Sequence, residues 1–324
     1  MSKVRLFVGP MSTEIVDSVI EYSDNVNSMG LIPSRRQVEY TGGYVNNWKT
    51  PDFVDYVKSK TSNVIFVRDH GGPGQGLHDD DGINSILCDI NSGFDIVHID
   101  PWKTCKTIDE GIEKSINLIN YCYKINRNIN FEIGTEESIF PYTSEDLNKI
   151  IGSMESQLGE KFKKVKYAVI QSGVEISGTK NIGNFSQKRL KAMIGVVNKY
   201  NLLSKEHNGD YLSLEKIKER ADCGLDSINI APEFGVMQTR FLLEKGLIKT
   251  KDALKECLAA NRYQKWIPKN YKNKAPERMI IEVSGHYSFS KKPFKNALKD
   301  DHRLEFKKIL FERFNEIHSA WSNA

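Results

Sequence analysis

Cysteine and long hydrophobic runs are both scarce in this sequence of 324 residues. The five cysteines include no CxxC pair and their number is odd, which argues against a disulfide framework and favours reduced thiols in the cytosol. No apolar run approaches the roughly 20 residues that cross a bilayer. The N-terminus has only a short apolar run before Gly9-Pro10, unlike a signal peptide. We therefore expect a cytoplasmic protein with no membrane partner.

A strong excess of charge of one sign is also lacking. Lys and Arg total 46 against 42 Asp and Glu, a net charge of +4, and the most basic stretch runs from Arg262 to Arg278. A nucleic-acid-binding protein would usually show a stronger and more concentrated basic face, so we expect no nucleic-acid partner. Hydrophobic residues make up 39% of the chain, which is typical of a globular protein with a substantial core.

Short apolar runs alternate with helical patterns through most of the chain. The predicted strands span residues 4–8, 31–32, 64–67, 96–99, 130–133, 165–170, 202–203 and 227–230. The predicted helices span residues 13–22, 52–58, 108–123, 144–158, 187–200, 214–223 and 239–245. Continuous apolar runs suit parallel strands that are buried on both faces. Eight such strands favour an α/β fold of the closed (β/α)8 TIM-barrel type over a doubly wound sheet, which usually has fewer strands.

The chain beyond the predicted barrel is a separate feature. We assign residues 1–248 to the barrel and residues 249–324 to a C-terminal helical extension packed on it. The extension contains helical patterns at 252–261 and 302–321, with a basic loop and the apolar run 279–283 between them. It could act as a lid or as a contact between subunits.

Charged and polar side chains collect at the predicted carboxyl ends of strands three to eight. They are Asp69, His70, His98, Asp100, Glu132, Glu136, Glu137, Gln171, Lys205, Glu206, His207, Asn208 and Glu233. Barrel enzymes build their active sites at this end of the strands. We therefore expect these side chains to face one mouth of the barrel, with His70 and His207 close enough to share a ligand.

Two histidines and a carboxylate on separate strands are suited to holding a divalent metal ion while leaving positions open for substrate oxygens. Such an ion can polarise a carbonyl and stabilise an enediolate. Asp69 could then move protons. The alternative is that each histidine is only a hydrogen-bonding structural residue, and His98 fits that alternative best. On the fourth strand, His98 and Asp100 are two residues apart and so share a face.

Two further segments suggest contacts with a ligand. The loop GGPGQG at residues 71–76 allows close approach of the backbone, but it lacks both the Walker pattern and the dinucleotide fingerprint. The acidic run 79–81 is explained equally by a helix start. Arg35 and Arg36, after strand two, could clamp a phosphate or carboxylate through paired hydrogen bonds, or could be ordinary surface residues. Lys205 carries a suitable charge for the same anion.

Four segments together resemble the class II ketose-bisphosphate aldolase group, and most closely the non-catalytic, Z-type subunit family of D-tagatose-1,6-bisphosphate aldolase. They are Asp69-His70-Gly71-Gly72-Pro73, Phe131-Glu132-Ile133-Gly134-Thr135-Glu136, Ile170-Gln171-Ser172-Gly173-Val174-Glu175 and Glu206-His207-Asn208-Gly209-Asp210-Tyr211. Their order and spacing cover strands three to eight. The first 60 residues depart from the family pattern, which implies a different substrate.

The resemblance implies roles for individual residues. Asp69 would transfer protons. His70, His207 and Glu132 would bind a divalent metal ion, which in this family is zinc, and Glu132 would also take part in catalysis. The remaining expected substrate-binding residues are Arg35, Arg36, Gln171, Lys205, Asn208 and Glu233. Catalytic class II aldolases carry a further histidine on strand six, where this chain has Gln171, so the resemblance implies a metal site that is altered, weaker or lost.

Three functions are compatible with this sequence. The leading hypothesis is a metal-dependent aldolase, or aldolase-like lyase, that acts on a phosphorylated sugar. The second is a non-catalytic subunit that stabilises a separate tagatose-bisphosphate-type aldolase. The third is a sugar-phosphate epimerase or isomerase, which would use the same enediolate chemistry without breaking a carbon–carbon bond. Either a homo-oligomer or an aldolase partner subunit would be the expected assembly.

Overall fold

Eight parallel strands close into a barrel, which confirms the predicted fold class. The computed structural model describes residues 3–78, 80–271 and 274–322. The barrel strands, in chain order, are β1 (Leu6–Val8), β2 (Gly30–Leu31), β3 (Ile65–Gly71), β4 (Ile96–Ile99), β5 (Asn130–Ile133), β6 (Val165–Ile170), β9 (Leu203–Glu206) and β10 (Ser227–Ile230). Each strand pairs with the next in sequence, and β10 pairs with β1 to close the circle. Two short strands, β7 (Ile176–Ser177) and β8 (Lys180–Asn181), form a separate antiparallel hairpin.

In the part of the chain that the structure describes, eight α-helices accompany the barrel strands and three more follow. They are α1 (Thr13–Asn25), α2 (Thr50–Lys58), α3 (Ile83–Ser92), α4 (Ile108–Ile125), α5 (Ser144–Leu158), α6 (Gln187–Lys199), α7 (Leu214–Asp222), α8 (Pro232–Glu244), α9 (Thr250–Ala260), α10 (Glu277–Ser284) and α11 (Asp300–Ser319). Within the described residues, no helix is long and apolar enough to cross a membrane.

The predicted helices and the observed ones differ most in three places. Helix α3 was not predicted, the apolar run 279–283 forms helix α10, and α8 begins at Pro232 instead of residue 239. The early start of α8 has a tertiary cause. Asp210, from the loop after β9, accepts hydrogen bonds from the backbone N–H groups of Ala231 and Glu233, so a distant side chain caps this helix.

The hydrophobic core has an inner and an outer part. Inside the barrel, Phe7 and Tyr167 pack edge to face with their ring centroids 5.6 Å apart. Larger clusters fill the space between the strands and the surrounding helices. The Lys205 side chain enters the barrel interior, where its ammonium lies 3.8 Å from the Phe7 ring centroid and 4.4 Å from that of Tyr167. The position of Lys205 is therefore set by the barrel core.

The C-terminal helices share the outer core of the barrel. Phe306 and Phe314 of α11 belong to the same buried cluster as residues of β1, α1 and α8. The Trp321 indole donates a hydrogen bond to the Leu225 carbonyl, 2.8 Å away, just before β10. The boundary proposed near residue 248 falls between α8 and α9.

The hairpin of β7 and β8 was not predicted from the sequence. It follows β6, and the residues at its start, Val174, Glu175 and Ile176, line the cavity at the barrel mouth. The backbone N–H of Gly178, at its turn, donates to the carbonyl of Trp266 in the segment between α9 and α10, over 2.6 Å. At its far end, the Asn181 side-chain amide donates to the Asn208 carbonyl over 3.0 Å. The hairpin thus ties the C-terminal extension to the loop after β9.

Candidate active site

Three histidines meet at the carboxyl end of the barrel strands. His70 is the last residue but one of β3, His98 lies in β4 and His207 directly follows β9. The ring centroids lie 5.4 Å apart for His70 and His98, 5.8 Å for His70 and His207, and 5.0 Å for His98 and His207. The prediction that His70 and His207 share one mouth is therefore confirmed.

The backbone of His70 is unusual and helps to aim its ring. Its φ of 50° lies in the left-handed region, which costs free energy for a residue with a side chain and is most common at functional sites. The pairing of β3 with β4 also shifts register between Arg68 and Gly71. Such an irregularity redirects side chains at the end of a strand. Here it turns the His70 ring toward the other two histidines.

One carboxylate oxygen lies between two of the rings. Glu136 Oε1 is 3.3 Å from His70 Nε2 and 3.4 Å from His207 Nδ1. Asp69 adds its own carboxylate, with Oδ2 3.6 Å from His70 Nε2 and Oδ1 3.6 Å from His207 Nδ1. Distances of this size separate neighbouring ligands around one metal ion. The geometry thus brings Asp69, His70, Glu136 and His207 around one small volume.

The outer nitrogens of these two imidazoles are bound to carboxylates. His70 Nδ1 lies 2.6 Å from Asp100 Oδ2, and His207 Nε2 lies 2.7 Å from Glu132 Oε1. A carboxylate on the outer nitrogen fixes the tautomer and orientation of a metal-binding histidine. Both rings are therefore held with their inner nitrogens directed at Glu136.

Glu132 occupies a different place from the one expected. One of its oxygens binds His207, and the other forms an ion pair with Lys205, both side chains being fully buried. Both oxygens of Glu132 therefore bind partners outside the space between the His70 and His207 imidazoles. Glu136, in the loop after β5, holds the position between the imidazoles instead.

His98 has hydrogen bonds on both ring nitrogens. Nε2 lies 3.0 Å from the Gly134 carbonyl, and Nδ1 accepts the backbone N–H of His70 over 3.3 Å. Asp69 Oδ1 is also 3.5 Å from Nδ1. Both ring nitrogens of His98 thus have backbone partners. These contacts favour the alternative that His98 is a hydrogen-bonding structural residue.

Electrostatics within the cluster favour added positive charge. Burial alone would lower the pKa of His207, but hydrogen bonds to Glu132 and Glu136 raise it to about 9. Burial likewise opposes protonation of His70, yet the charge of Asp69 and the bond to Asp100 raise its pKa well above the usual value. When no other cation is bound, these carboxylates therefore favour protonation of the imidazoles.

The residues present fit a divalent metal ion. Asp69 Oδ1 is buried without a hydrogen-bond partner, although an unsatisfied buried carboxylate oxygen is costly. Four carboxylates, Asp69, Asp100, Glu132 and Glu136, contact the histidines, and within the described residues only Glu132 forms an ion pair with a lysine, Lys205. A dication in this cluster would offset their charge. Two imidazoles with carboxylate ligands are typical of zinc. His70, Glu136 and His207, with Asp69 beside them, could hold such an ion.

The cluster opens into a cavity of about 590 Å³. Asp69, His70 and Glu136 line it. Of the residues expected to bind substrate, Arg36 and Asn208 also line this cavity, whereas Arg35, Gln171, Lys205 and Glu233 do not. The last four side chains are buried in internal contacts instead.

Those internal contacts explain the difference. The Gln171 side chain donates to the Thr135 and Phe140 carbonyls and accepts the backbone N–H of Tyr142. Glu233 accepts from Arg313 Nε over 2.7 Å, which joins α8 to α11. Both are satisfied within the fold, so neither side chain is directed at the cavity.

Arg35 anchors the glycine-rich loop. Its guanidinium donates to Glu39 and, through two nitrogens, to both carboxylate oxygens of Asp80, each over 2.7 Å, and it also donates to the Gly72 carbonyl. The side chain is 1% exposed. All of its donor nitrogens therefore form hydrogen bonds within the protein, whereas its neighbour Arg36 lines the cavity.

These two adjacent arginines are expected to differ in their effect on stability. Arg35→Met leaves Glu39 buried without its partner, and removing one member of a buried ion pair costs about 3 kcal/mol or more. Arg36 forms no ion pair within the described residues, so Arg36→Met should change the free energy of unfolding by less than about 0.5 kcal/mol. Urea denaturation of both variants measures this. Equal stabilities would contradict the anchoring role of Arg35.

Two groups of site residues were not identified from the sequence. Glu136 was noted at a strand end, but nothing in the sequence distinguished it from Glu132 or Glu137 as the carboxylate between the imidazoles. Arg262 and Lys265 of the extension also line the cavity. Their only sequence signal was the basic character of the stretch from residue 262 onward.

Comparisons with known proteins agree on the fold. No protein-family model and no curated protein sequence matches this chain. A probable tagatose 6 phosphate kinase from Sinorhizobium meliloti 1021 has a similar structure, with a TM-score of 0.67 at 16% identity, covering 98% of this chain and 87% of that one. The YdjI aldolase from Escherichia coli K12 gives a TM-score of 0.57 at 12% identity, over 97% of this chain and 91% of that one.

An epimerase is also among the similar structures. The fructuronate-tagaturonate epimerase UxaE from Cohnella laeviribosi gives a TM-score of 0.57 at 12% identity, over 98% of this chain and 79% of that one. At such low identities these similarities show that the chain has the same barrel fold. Barrels of one fold support many chemistries, so function has to be argued from the site.

Proposed function

We propose that this protein is a metal-dependent aldolase, or aldolase-like lyase, that acts on a phosphorylated sugar. The observation that carries the proposal is the convergence of His70 Nε2, His207 Nδ1 and Glu136 Oε1 beside Asp69, at the end of an open cavity. We propose His70, His207 and Glu136 as ligands of a zinc ion, with Glu136 taking the place expected for Glu132. When bound, the ion would polarise the carbonyl of the substrate.

The residues of the chain supply the proton transfer and its positioning. Burial alone would raise the pKa of Asp69, but the charge of His70, followed by that of His207, lowers it below the usual value. Asp69 is therefore ionised and can accept the hydroxyl proton of the carbon at which the bond breaks. On aldol addition the same carboxyl group returns that proton to the new alkoxide. Asp100 and Glu132 act as positioning residues because each fixes one imidazole.

The arrangement of the site bears on the alternatives. A subunit that only stabilises another aldolase does not require carboxylates that bind the outer ring nitrogens of two histidines and so orient them. An epimerase or isomerase would need the same cluster, so geometry does not separate it from an aldolase. A homo-oligomer or a partner subunit stays a prediction.

The test combines metal analysis with product analysis. We expect the purified full-length protein to contain about one divalent ion per chain and to release dihydroxyacetone phosphate from a ketose bisphosphate in a panel of stereoisomers. Chelation should abolish this release and zinc should restore it. Full activity in chelator-treated protein would contradict the proposal. A change of configuration without cleavage would support the epimerase, and stimulation of a separate aldolase without turnover would support the stabilising subunit.

A further inference from the structure

Four cationic side chains line the cavity in addition to the histidine cluster. One of them, Lys103, donates a hydrogen bond to the Gly74 carbonyl, and the other three are Arg36, Arg262 and Lys265. Arg36 comes from the loop after β2, whereas Arg262 and Lys265 come from the segment between α9 and α10. Among residues 3–78, 80–271 and 274–322, none of the three forms an ion pair. The carboxylates Asp69 and Glu136 belong to the histidine cluster, and Glu175, which also lines the cavity, pairs with no cation in the described chain.

The segment that carries Arg262 and Lys265 is held against the barrel mouth from two sides. The carbonyl of Trp266 accepts the backbone N–H of Gly178 in the hairpin, over 2.6 Å. The Trp266 indole donates to the Tyr287 hydroxyl over 3.1 Å. Lys265 Nζ lies 4.1 Å from the Trp266 ring centroid, which restricts where the ammonium can lie. The two cations are therefore presented to the cavity by a braced segment.

The three cations also influence one another. Arg262 and Lys265 remain exposed to solvent, yet protein crowds the Lys265 amine. That crowding, followed by the charges of Arg36 and Arg262, lowers the pKa of Lys265 to about 8, while Glu136 acts in the opposite direction. A group of like charges in a cavity attracts a counter-ion. Asp69, Glu136 and Glu175 also line the cavity, but within the described residues none of them forms an ion pair with these three cations, so a ligand can supply the counter-ion.

We propose that Arg36, Arg262 and Lys265 form a subsite for a phosphate monoester, which would hold the end of the substrate remote from the reacting carbonyl. The placement of the reacting end rests on the proposed function. A phosphate monoester is close to a dianion at neutral pH and offers three acceptor oxygens. Two arginines can each bind a pair of those oxygens, and a lysine adds a point charge. A carboxylate, with one charge and two oxygens, would use only part of this set.

The subsite gives the C-terminal extension a part in the active site. Lys205 and Arg35, which were expected to bind the anion, are committed to Glu132 and to the glycine-rich loop. Only Arg36 of the cations expected from the sequence reaches the cavity. The extension therefore supplies two of the three charges in the proposed subsite.

The experiment measures binding of inorganic phosphate to the full-length protein by 31P nuclear magnetic resonance titration, first as purified and again after removal of metal with a chelator. The test variant is Arg262→Gln/Lys265→Gln. The control is Lys269→Gln, which removes one positive charge from an exposed position of the same segment that does not line the cavity. The double variant should weaken binding at least about tenfold, since two charge-assisted contacts are lost, whereas the control should stay within about twofold.

The outcomes separate this proposal from the proposed function. Equal binding by the double variant and the control, equal affinity for acetate and phosphate, or no binding of phosphate by the wild-type protein would overturn the subsite. Zinc titration of the same three proteins tests the histidine cluster independently, and all three should bind zinc equally. If zinc fails to bind while phosphate binding still depends on Arg262 and Lys265, the metal-dependent function fails and the subsite stands.

Discussion

Asp69→Asn is expected to abolish turnover while the fold and the metal content stay unchanged. The amide has the shape of the carboxylate but cannot accept the hydroxyl proton. General acid–base groups contribute about a hundredfold to ten-thousandfold to rates, so we expect a loss of about a thousandfold. The measurement is the turnover number on the substrate found in the product screen, together with the zinc content of the same preparation.

A matched control separates this effect from a general loss of negative charge. Asp109 lies in the first turn of α4, is exposed, and pairs only with Lys149 within the described residues. Asp109→Asn should therefore leave turnover at the wild-type level. Retention of activity within about tenfold in Asp69→Asn would assign the proton transfer to another group.

Glu136→Gln is expected to cause the largest loss of metal affinity among single substitutions of the carboxylates. The carboxylate lies 3.3 Å and 3.4 Å from the inner nitrogens of His70 and His207, and a neutral amide is a poor ligand for zinc. Substitution of groups that only orient a ligand costs about 10–100-fold in affinity, so loss of a direct ligand should exceed about a hundredfold. Competition with a chromophoric zinc chelator measures this.

Two neighbouring glutamates serve as comparisons. Glu137 faces away from the cluster and accepts a 2.8 Å hydrogen bond from Arg189, so Glu137→Gln should bind zinc like the wild-type protein. Glu132→Gln should show an intermediate loss because Glu132 orients His207 from behind. A larger loss for Glu132→Gln than for Glu136→Gln would restore Glu132 as the direct ligand.

The barrel could be predicted because its cause is local. The apolar runs at 96–99, 130–133, 165–170 and 227–230 coincide with β4, β5, β6 and β10. A strand that is buried on both faces is almost continuously apolar, so its bounds can be predicted from a run of consecutive apolar residues. The start of α8 could not be read in this way, because Asp210 caps the helix from another loop.

The site could be predicted only in outline. Since parallel strands end at the same edge, residues at their carboxyl ends were expected to meet there, and Asp69, His70 and His207 do. The sequence does not say which way each side chain turns. Arg35 and Arg36 illustrate the limit, since adjacent residues point in different directions and only one reaches the cavity.

The sequence by itself thus determined the closed barrel, the mouth at which the reactive residues gather, and the pair His70 and His207. The tertiary structure decided which carboxylate lies between the imidazoles, because that depends on the path of the loop after β5. It also decided that Lys205 is a core residue and that Arg262 and Lys265 belong to the cavity. Side chains far apart in sequence share a site only where packing brings their segments together, and no local pattern encodes that packing.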